Sequence, residues 1–404
     1  MSRAQRASYA LAFIAALATG PVMAADDEIR IGFLGGVTGP VQYLAPAILS
    51  AARLAVGHIN ADGGLLNGRQ VRLSVGDTRC TDATQAANAA DRLVHTEEVV
   101  AIVGALCSGA TLSAARNTTV PDGVVMVSPA STAPSISTID DDDLVFRFAP
   151  SDAYAGQVMA RLMMRKGIRT VAIAHVDADY GAGFADAFQT AFEAIGGTVT
   201  LRRAHSPGQA SYAEDLEALA ESGAPTLLIA AIAESSGLAL LQEAIRSGRF
   251  KRFAGSNAMV SDRLFSLQGM ASLKNMVLIR SAVPQSPGRQ AFEALAAAAG
   301  ADPDAPFAAE AYDAAFLLAL AIESHGKPDR TGLAQALRSV SSPPGTLVLP
   351  GEWEKARALI ADGKSVNYEG AAGPHDFDAR GDVPGRIVEL AIRGGGFHEV
   401  GLLD

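Results

Sequence analysis

Val99-Val100-Ala101-Ile102-Val103-Gly104-Ala105-Leu106-Cys107-Ser108-Gly109-Ala110-Thr111 and Val124-Val125-Met126-Val127-Ser128-Pro129-Ala130-Ser131-Thr132-Ala133-Pro134 share one grammar: an apolar run, then a turn of small residues carrying hydroxyls. Uninterrupted β-branched and apolar runs of this length read as strands buried on both faces, the signature of a parallel sheet. The pattern after Ser108 is helical, so free backbone N–H groups and a hydroxyl converge at the turn, which suits a carboxylate. If the two strands are neighbours, Ser108 and Thr132 lie at adjacent carboxyl edges, where open α/β sheets bind ligands. Nothing in either turn offers a group to attack what it binds.

Outward from this pair the alternation continues. Residues 29–34 read as a strand, 35–43 as a glycine-rich loop, and a helix runs to about 59 and stops at Asn60-Ala61-Asp62-Gly63-Gly64. A strand at 71–75 and a helix at 83–96 follow. The pattern restarts at Ser151: a helix to about 166, strands near 170–175, 199–202, 226–231 and 252–255, and helices at 184–195 and 237–247. An apolar helix spans 307–323, and short strands are expected near 373–378 and 387–392. Alternating βα units of this kind predict an α/β chain of two doubly wound, Rossmann-like lobes. No Pro-, Gly- or Ser-rich linker divides them, so the lobes must share crossovers.

The first 25 residues carry Arg3 and Arg6, an apolar middle at 9–17 and small residues at Val22-Met23-Ala24-Ala25, a secretory signal peptide with cleavage expected near Ala24 or Ala25. The apolar core is too short to span a membrane comfortably, and no Cys follows the cleavage site to carry a lipid, so the mature chain is expected to be exported and not membrane-anchored. The formal charge of −10 becomes −12 once Arg3 and Arg6 leave, a poor match for nucleic acid. Only two cysteines occur, Cys80 and Cys107, and in an oxidising compartment the expected state is a disulfide rather than two free thiols. It would fix one wall of the Ser108 turn in advance and contribute roughly 3 kcal/mol by chain entropy. Asp140-Asp141-Asp142-Asp143 lacks the spaced ligands of a calcium loop and reads as a solvated turn.

Across nearly all of the mature chain these residues resemble the extracytoplasmic solute-binding proteins of the branched-chain amino acid (leucine/isoleucine/valine) type, which serve ABC transporters. The resemblance is carried by Thr38-Gly39-Pro40, His58-Ile59-Asn60-Ala61-Asp62-Gly63-Gly64, residues 77–82 with Cys80, Cys107-Ser108, residues 129–134, Arg147-Phe148-Ala149-Pro150-Ser151-Asp152, Asp179-Tyr180-Gly181-Ala182-Gly183, Tyr312-Asp313-Ala314 and Phe377-Asp378-Ala379-Arg380-Gly381-Asp382. It implies a type I periplasmic binding fold, two lobes joined by three hinge crossovers, with residues 26–148 and 282–345 expected in lobe 1 and residues 149–281 and 346–404 in lobe 2. It also implies a periplasmic monomer, a small-molecule ligand held between the lobes, and an ABC transporter permease as partner. Ser108 and Thr132, with Ala130 and Ser131 beside them, match the family's carboxylate grip, Tyr180 the second-lobe residue that closes over the ligand, and Tyr43, one position offset, a pocket wall.

One departure bears on the ligand. Where leucine- and valine-specific members carry a second-lobe Glu for the ammonium, this chain reads Gly255-Ser256-Asn257-Ala258, so Asn257 stands at that place; a Tyr expected near Ile232 is also missing. Asn offers only a neutral acceptor to a buried ammonium. Either another acid supplies the charge, with Asp179, Glu234 and Glu310 as candidates, or the ligand is a carboxylate or amide without an α-ammonium.

Enzymatic readings find no support in the sequence. The glycines at 32–39 do not take dinucleotide spacing, the seven histidines form no His-x-x-x-His pair, and no Gly-x-Ser-x-Gly elbow surrounds Ser108, so no cofactor, metal or nucleophile is expected. His175, at a strand end near Tyr180, reads as structural or pocket-lining rather than as a general base. Three functions stay open: a binding component of an importer, a ligand sensor of the same fold acting on a receptor or regulator, and, behind both, an enzyme of the α/β class.

Overall fold

The computed structural model describes residues 28–403; the expected signal peptide lies outside them. The chain opens with β1 (Glu28–Gly35), α1 (Ala45–Ala61), β2 (Gln70–Asp77), α2 (Ala83–Asp91), β3 (Ala101–Gly104), α3 (Ser108–Ala114), β4 (Val125–Ser128) and β5 (Val145–Arg147). It crosses into α4 (Asp152–Arg165), β6 (Thr170–Val176), α5 (Asp179–Ala194), β7 (Thr198–His205), α6 (Ala213–Glu221), β8 (Thr226–Ala230), α7 (Leu238–Ser247), β9 (Arg252–Gly255) and β10 (Val277–Ser281). It returns through α8 (Pro287–Ala298), α9 (Ala308–His325), α10 (Leu333–Ser341), β11 (Thr346–Val348), α11 (Trp353–Ala361), β12 (Val366–Gly370) and β13 (Gly373–Pro374), then crosses again to β14 (Ile387–Arg393) and β15 (Gly396–Leu403).

Each lobe repeats one topology. The first sheet is parallel in the order β2-β1-β3-β4-β5; the second runs β15-β14-β10-β9-β8-β6-β7, parallel until β14 and β15 add antiparallel edges. Read from the first strand of each lobe, both orders are second-first-third-fourth-fifth, so each sheet reverses beside its first strand and opens a crevice at its carboxyl edge. The strands at 101–104 and 125–128 are indeed fully buried neighbours in parallel register, Ala101 opposite Val125 and Val103 opposite Val127. Their burial follows from helices on both faces, which is why they read as unbroken apolar runs.

Helix α9 explains where lobe 1 ends. It is buried on every side from Ala308 to Ile322 and apolar there except for Glu310 and Asp313, enclosed in the lobe-1 core with α1 and the elements that follow it. Phe316 stacks on Tyr368 at 5.0 Å and meets Trp353 edge-on at 5.6 Å, while Trp353 Nε1 donates to the Gly64 carbonyl at 3.1 Å. Asp313, inside this helix and wholly buried, is satisfied four times: by Tyr368 Oη (2.7 Å), Ala371 N (2.8 Å), Ala372 N (2.7 Å) and His375 Nε2 (2.8 Å). These contacts place residues 346–383 in lobe 1, not in lobe 2 as the sequence suggested, because Trp353, Val366 and Tyr368 complete the core around α9. Only β14 and β15 return to the second sheet.

Three crossovers therefore join the lobes, near 148–151, 282–286 and 384–386, and they are fastened to one another. Ala282 N donates to the Arg386 carbonyl at 2.9 Å, and Arg147 N to that of Gly381 at 2.9 Å. Arg147, with no exposed surface, donates Nε to Asp382 Oδ1 (2.6 Å), Nη2 to Asp382 Oδ2 (3.0 Å) and Ser137 Oγ (2.6 Å), and Nη1 to the Ala133 carbonyl (2.8 Å). The aspartate run is a turn: Asp141 accepts from Asp143 N and Val145 N, and Asp143 pairs with Arg338.

Candidate ligand-binding cleft

The carboxyl edges of both sheets open on one cavity of about 610 Å³. From lobe 1 come Tyr43 after β1, Cys107 and Ser108 after β3, and Ala130 and Thr132 after β4; from lobe 2 come Tyr180 after β6, Ile232 after β8, and Asn257 and Ala258 after β9. The volume lies within the range of small-molecule sites.

Gly104 sets the first turn. It has φ +142°, and a Cβ there would lie 2.3 Å from the Leu34 carbonyl oxygen, so only glycine lets β3 end against β1 and swing the chain to Ser108. Cys107 at the start of α3 makes no side-chain cap, so the first-turn N–H groups receive no acceptor from it. The expected disulfide is present, joining Cys107 to Cys80 with Cα atoms 5.4 Å apart.

The two turns are sewn together by hydroxyls. Ser108 Oγ accepts from Thr132 N (3.2 Å) and Ala133 N (3.1 Å), so its own hydrogen remains to be donated into the cavity. Ser131 differs from the expectation. Its hydroxyl lies 2.8 Å from Thr111 Oγ1, it donates to the Ala105 carbonyl at 3.1 Å, and it does not line the cavity, so it braces the two turns from behind. Ala130 lines the cavity, and its N–H reaches Ser128 Oγ only at 3.4 Å.

Behind Thr132 stands Asp152, which the sequence analysis gave no role. It is wholly buried, its N–H donates to the Thr132 carbonyl at 2.8 Å, and Oδ2 has no hydrogen-bond partner. Burial pushes its carboxyl up to about 7, against the opposing pull of the Thr132 hydroxyl and Arg147. Burial, and after it Asp152, push the Tyr180 phenol far up as well, so Tyr180 stays neutral. Tyr180 Oη lies 2.6 Å from Ser256 Oγ and accepts a longer bond from Ala258 N at 3.4 Å, so its hydroxyl is held within lobe 2 at the cavity wall. Tyr43 keeps 43 % of its surface exposed at the cavity's rim; burial of its hydroxyl, then Glu234, push it up to about 12.

The three candidate acids separate cleanly. Asp179 is exposed on the first turn of α5 and faces Gly109 and a second groove. Glu234 accepts from Ser261 Oγ at 2.6 Å and pairs with Arg263, outside the cavity's lining. Glu310, in the first turn of α9, lines the cavity and is 8 % exposed; burial pushes its carboxyl up to about 7, with Asp313 adding to the rise and Arg289 opposing it. The segment from β10 to α9, whose sequence pattern announces no element, forms the rest of the wall through Arg280, Gln285, Arg289 and Asp304. Its signal was present: charged residues set among the prolines at 284, 287, 303 and 306.

Sequence comparison sets this fold among known proteins. The profile of the periplasmic binding protein family covers residues 28–388. The chain belongs to the periplasmic binding protein family. This is a family of binding proteins rather than enzymes. Among the relatives of this family member is the leucine-, isoleucine-, valine-, threonine- and alanine-binding protein of Pseudomonas aeruginosa, 30 % identical over 85 % of this chain and 91 % of its own. Another is a chemotactic signal transduction system substrate-binding protein, BasB, of Halobacterium salinarum, 31 % identical over 88 % of this chain and 84 % of its own. The solved leucine-binding protein LivK of Thermotoga maritima shares the fold at TM-score 0.76, with 23 % identity over 93 % of this chain and 99 % of that one. An ABC transporter substrate-binding protein of Desulfitobacterium hafniense, solved in complex with Leu, matches at TM-score 0.69 and 26 % identity over 92 % of this chain and all of its own. Among the described residues no helix is long and apolar enough to cross a membrane.

Proposed function

We propose that this chain is the periplasmic substrate-binding component of an ABC importer, exported by its N-terminal signal peptide, and that it captures an amino acid or closely related small carboxylate between its lobes and presents it to the permease. The observation that carries this reading is the shared cavity: Ser108 and Thr132 of lobe 1 open on the same space as Tyr180 and Asn257 of lobe 2. The Ser108 hydroxyl and amides at the start of α3 and near Ala130 and Thr132 grip the carboxylate, with the Thr132 hydroxyl held by Asp152 behind it; Tyr180 closes over the solute; Tyr43 walls the rim; Leu106, Val41 and Ile232 take the apolar part. Two or three hydrogen bonds to a carboxylate, at about 1.5–3 kcal/mol each, with apolar burial and less the cost of association, reach roughly −8 kcal/mol, or micromolar affinity. Relatives named for leucine, isoleucine and valine support the amino acid class.

The test is a thermal-shift screen over amino acids, aromatic acids, short carboxylates and amides. One class is expected to stabilise the protein, with the effect removed by Ser108→Ala together with Thr132→Ala; stabilisation only by molecules lacking a carboxyl or amide group refutes the reading. The relative with a chemotactic role supports a second use of the same clamp, in which the closed form signals to a receptor. Loss of solute uptake on deletion favours the importer, and loss of a behavioural response with uptake intact favours the sensor.

A further inference from the structure

Three carboxylates line the cleft, and two are already neutralised. Asp304 accepts from Arg289 Nη2 at 2.6 Å, and Glu399 from Arg280 Nη2 at 2.6 Å. Arg289 also has its Nε on Glu293 at 2.7 Å and its Nη1 on the Pro303 carbonyl at 3.0 Å, so it faces two carboxylates already and acts on Glu310 only from a distance. The third is Glu310. No cation lies within salt-bridge distance of it among the described residues, it is more than nine-tenths buried, and Asp313 on its own helix adds a like charge nearby. The other polar groups lining this space are Ser108, Thr132, Tyr43, Tyr180, Gln285 and the amide of Asn257, none of them a cation, and behind Thr132 the buried carboxyl of Asp152 titrates in the same range as Glu310. A carboxylate taken out of water without a cation is costly unless a partner arrives.

We propose that Glu310 receives the cationic end of the solute, doing from the hinge side of lobe 1 what a second-lobe acid at the place of Asn257 would do from across the cleft, and that the solute is therefore a zwitterion. This rests on the clamp reading above, which supplies the grip on the carboxylate end. The solute lies with its acidic end on Ser108 and Thr132 and its ammonium toward the start of α9, so both charged ends are held by lobe 1 before closure. Lobe 2 then contributes Tyr180, Asn257 and the apolar Ile232, a cover rather than a counter-charge. Since the acid is displaced upward by its surroundings, an incoming ammonium also draws off its proton near neutrality, and affinity for zwitterions rises with pH across that range.

The experiment is calorimetric titration of the mature chain with amino acids beside their desamino counterparts: leucine against isocaproate, valine against isovalerate, alanine against propionate. Wild type is expected to prefer at least one amino acid over its counterpart by more than about 30-fold, the scale of losing one partner of a buried charge pair. In Glu310→Gln the preference is expected to fall to a few-fold while the desamino acid keeps or gains affinity, which also shows that the variant is folded. Glu234→Gln and Asp179→Asn are expected to keep the full preference. A preference unchanged in Glu310→Gln, or lost in Glu234→Gln or Asp179→Asn, overturns the assignment. Equal binding of the paired acids by wild type, abolished by Ser108→Ala, removes the zwitterion and leaves the carboxylate clamp standing. Binding of none of the six, with a hit elsewhere that ignores Ser108, removes the clamp itself.

Discussion

Ser108 and Ser131 carry the same hydroxyl on adjacent turns, and their surroundings give them different work. Ser108 Oγ accepts two backbone N–H groups and keeps its hydrogen for the cavity, whereas Ser131 is consumed by Thr111 and the Ala105 carbonyl. Ser108→Ala is accordingly expected to weaken solute binding about 10- to 100-fold by titration calorimetry, the loss of one hydrogen bond to a charged group. Ser131→Ala is expected to lower unfolding stability by about 1 kcal/mol with affinity within a few-fold of wild type. Glu310 gives a prediction of the opposite sign. Its folded-state acid lies near 7, above its ordinary value of 4.5, so the native state holds a proton that the unfolded chain has lost. Stability tied to it is present in full below about 4.5 and is lost as pH rises through about 7. Without solute, Glu310→Gln is therefore expected to melt about 2–4 °C above wild type at pH 8, a shift matching roughly 1 kcal/mol in a unit of one lobe's size, with the gap closing toward pH 4. A gap independent of pH rejects the account. A lower melting point at pH 8 does so as well.

Among the elements, the crossovers are where the site and the hinge are one object. Arg147 fastens the end of β5, the Ala133 carbonyl beside Thr132, and Asp382 just before the third crossover. Asp382→Ala leaves a buried guanidinium without its carboxylate and is expected to cost about 3–5 kcal/mol in chemical denaturation, while Arg147→Met with Asp382→Leu recovers most of it. Reduction of Cys80–Cys107 is expected to cost roughly 3 kcal/mol, because it frees the loop that precedes α2 from the turn carrying Ser108. The strands and helices around the cleft were legible in the sequence because burial on both faces writes unbroken apolar runs, as at 101–104 and 226–230, and because Asn60 to Gly64 ends a helix plainly. The third crossover was misplaced for an equally physical reason. Trp353, Val366 and Tyr368 belong to lobe 1 only because a tertiary partner, Phe316 on α9, receives them, and no local pattern announces that partner. The orientation of the Ser131 hydroxyl and the burial of Glu310 were hidden likewise: both depend on residues distant in sequence.

For the whole molecule, the arrangement argues that solute binding and lobe closure are one equilibrium. The lobes touch along one side of the cleft, where Gly109 lies against Asp179 and Gly183 against Pro134 so tightly that a Cβ at either glycine would fall 3.0 Å or 2.7 Å from its neighbour. Across the cavity the two lobes share few polar groups of their own: Tyr180 spends its hydroxyl on Ser256 within lobe 2, and Ser108 its lone pairs on lobe 1. Among the described residues the cavity-lining groups of the two lobes make no hydrogen bond or ion pair to each other, so a ligand that contacts both lobes shifts the population toward the closed form by its differential affinity for it. A compact chain of this length has a radius of gyration of about 21 Å. Small-angle scattering of the mature, solute-free protein is expected to give a larger value, and saturating solute to draw it down toward that figure. Ser108→Ala with Thr132→Ala is expected to stay at the larger value at the same solute concentration. If tight binding proceeds with no change in radius, the lobes are a preformed cage, and recognition by a permease cannot rest on closure.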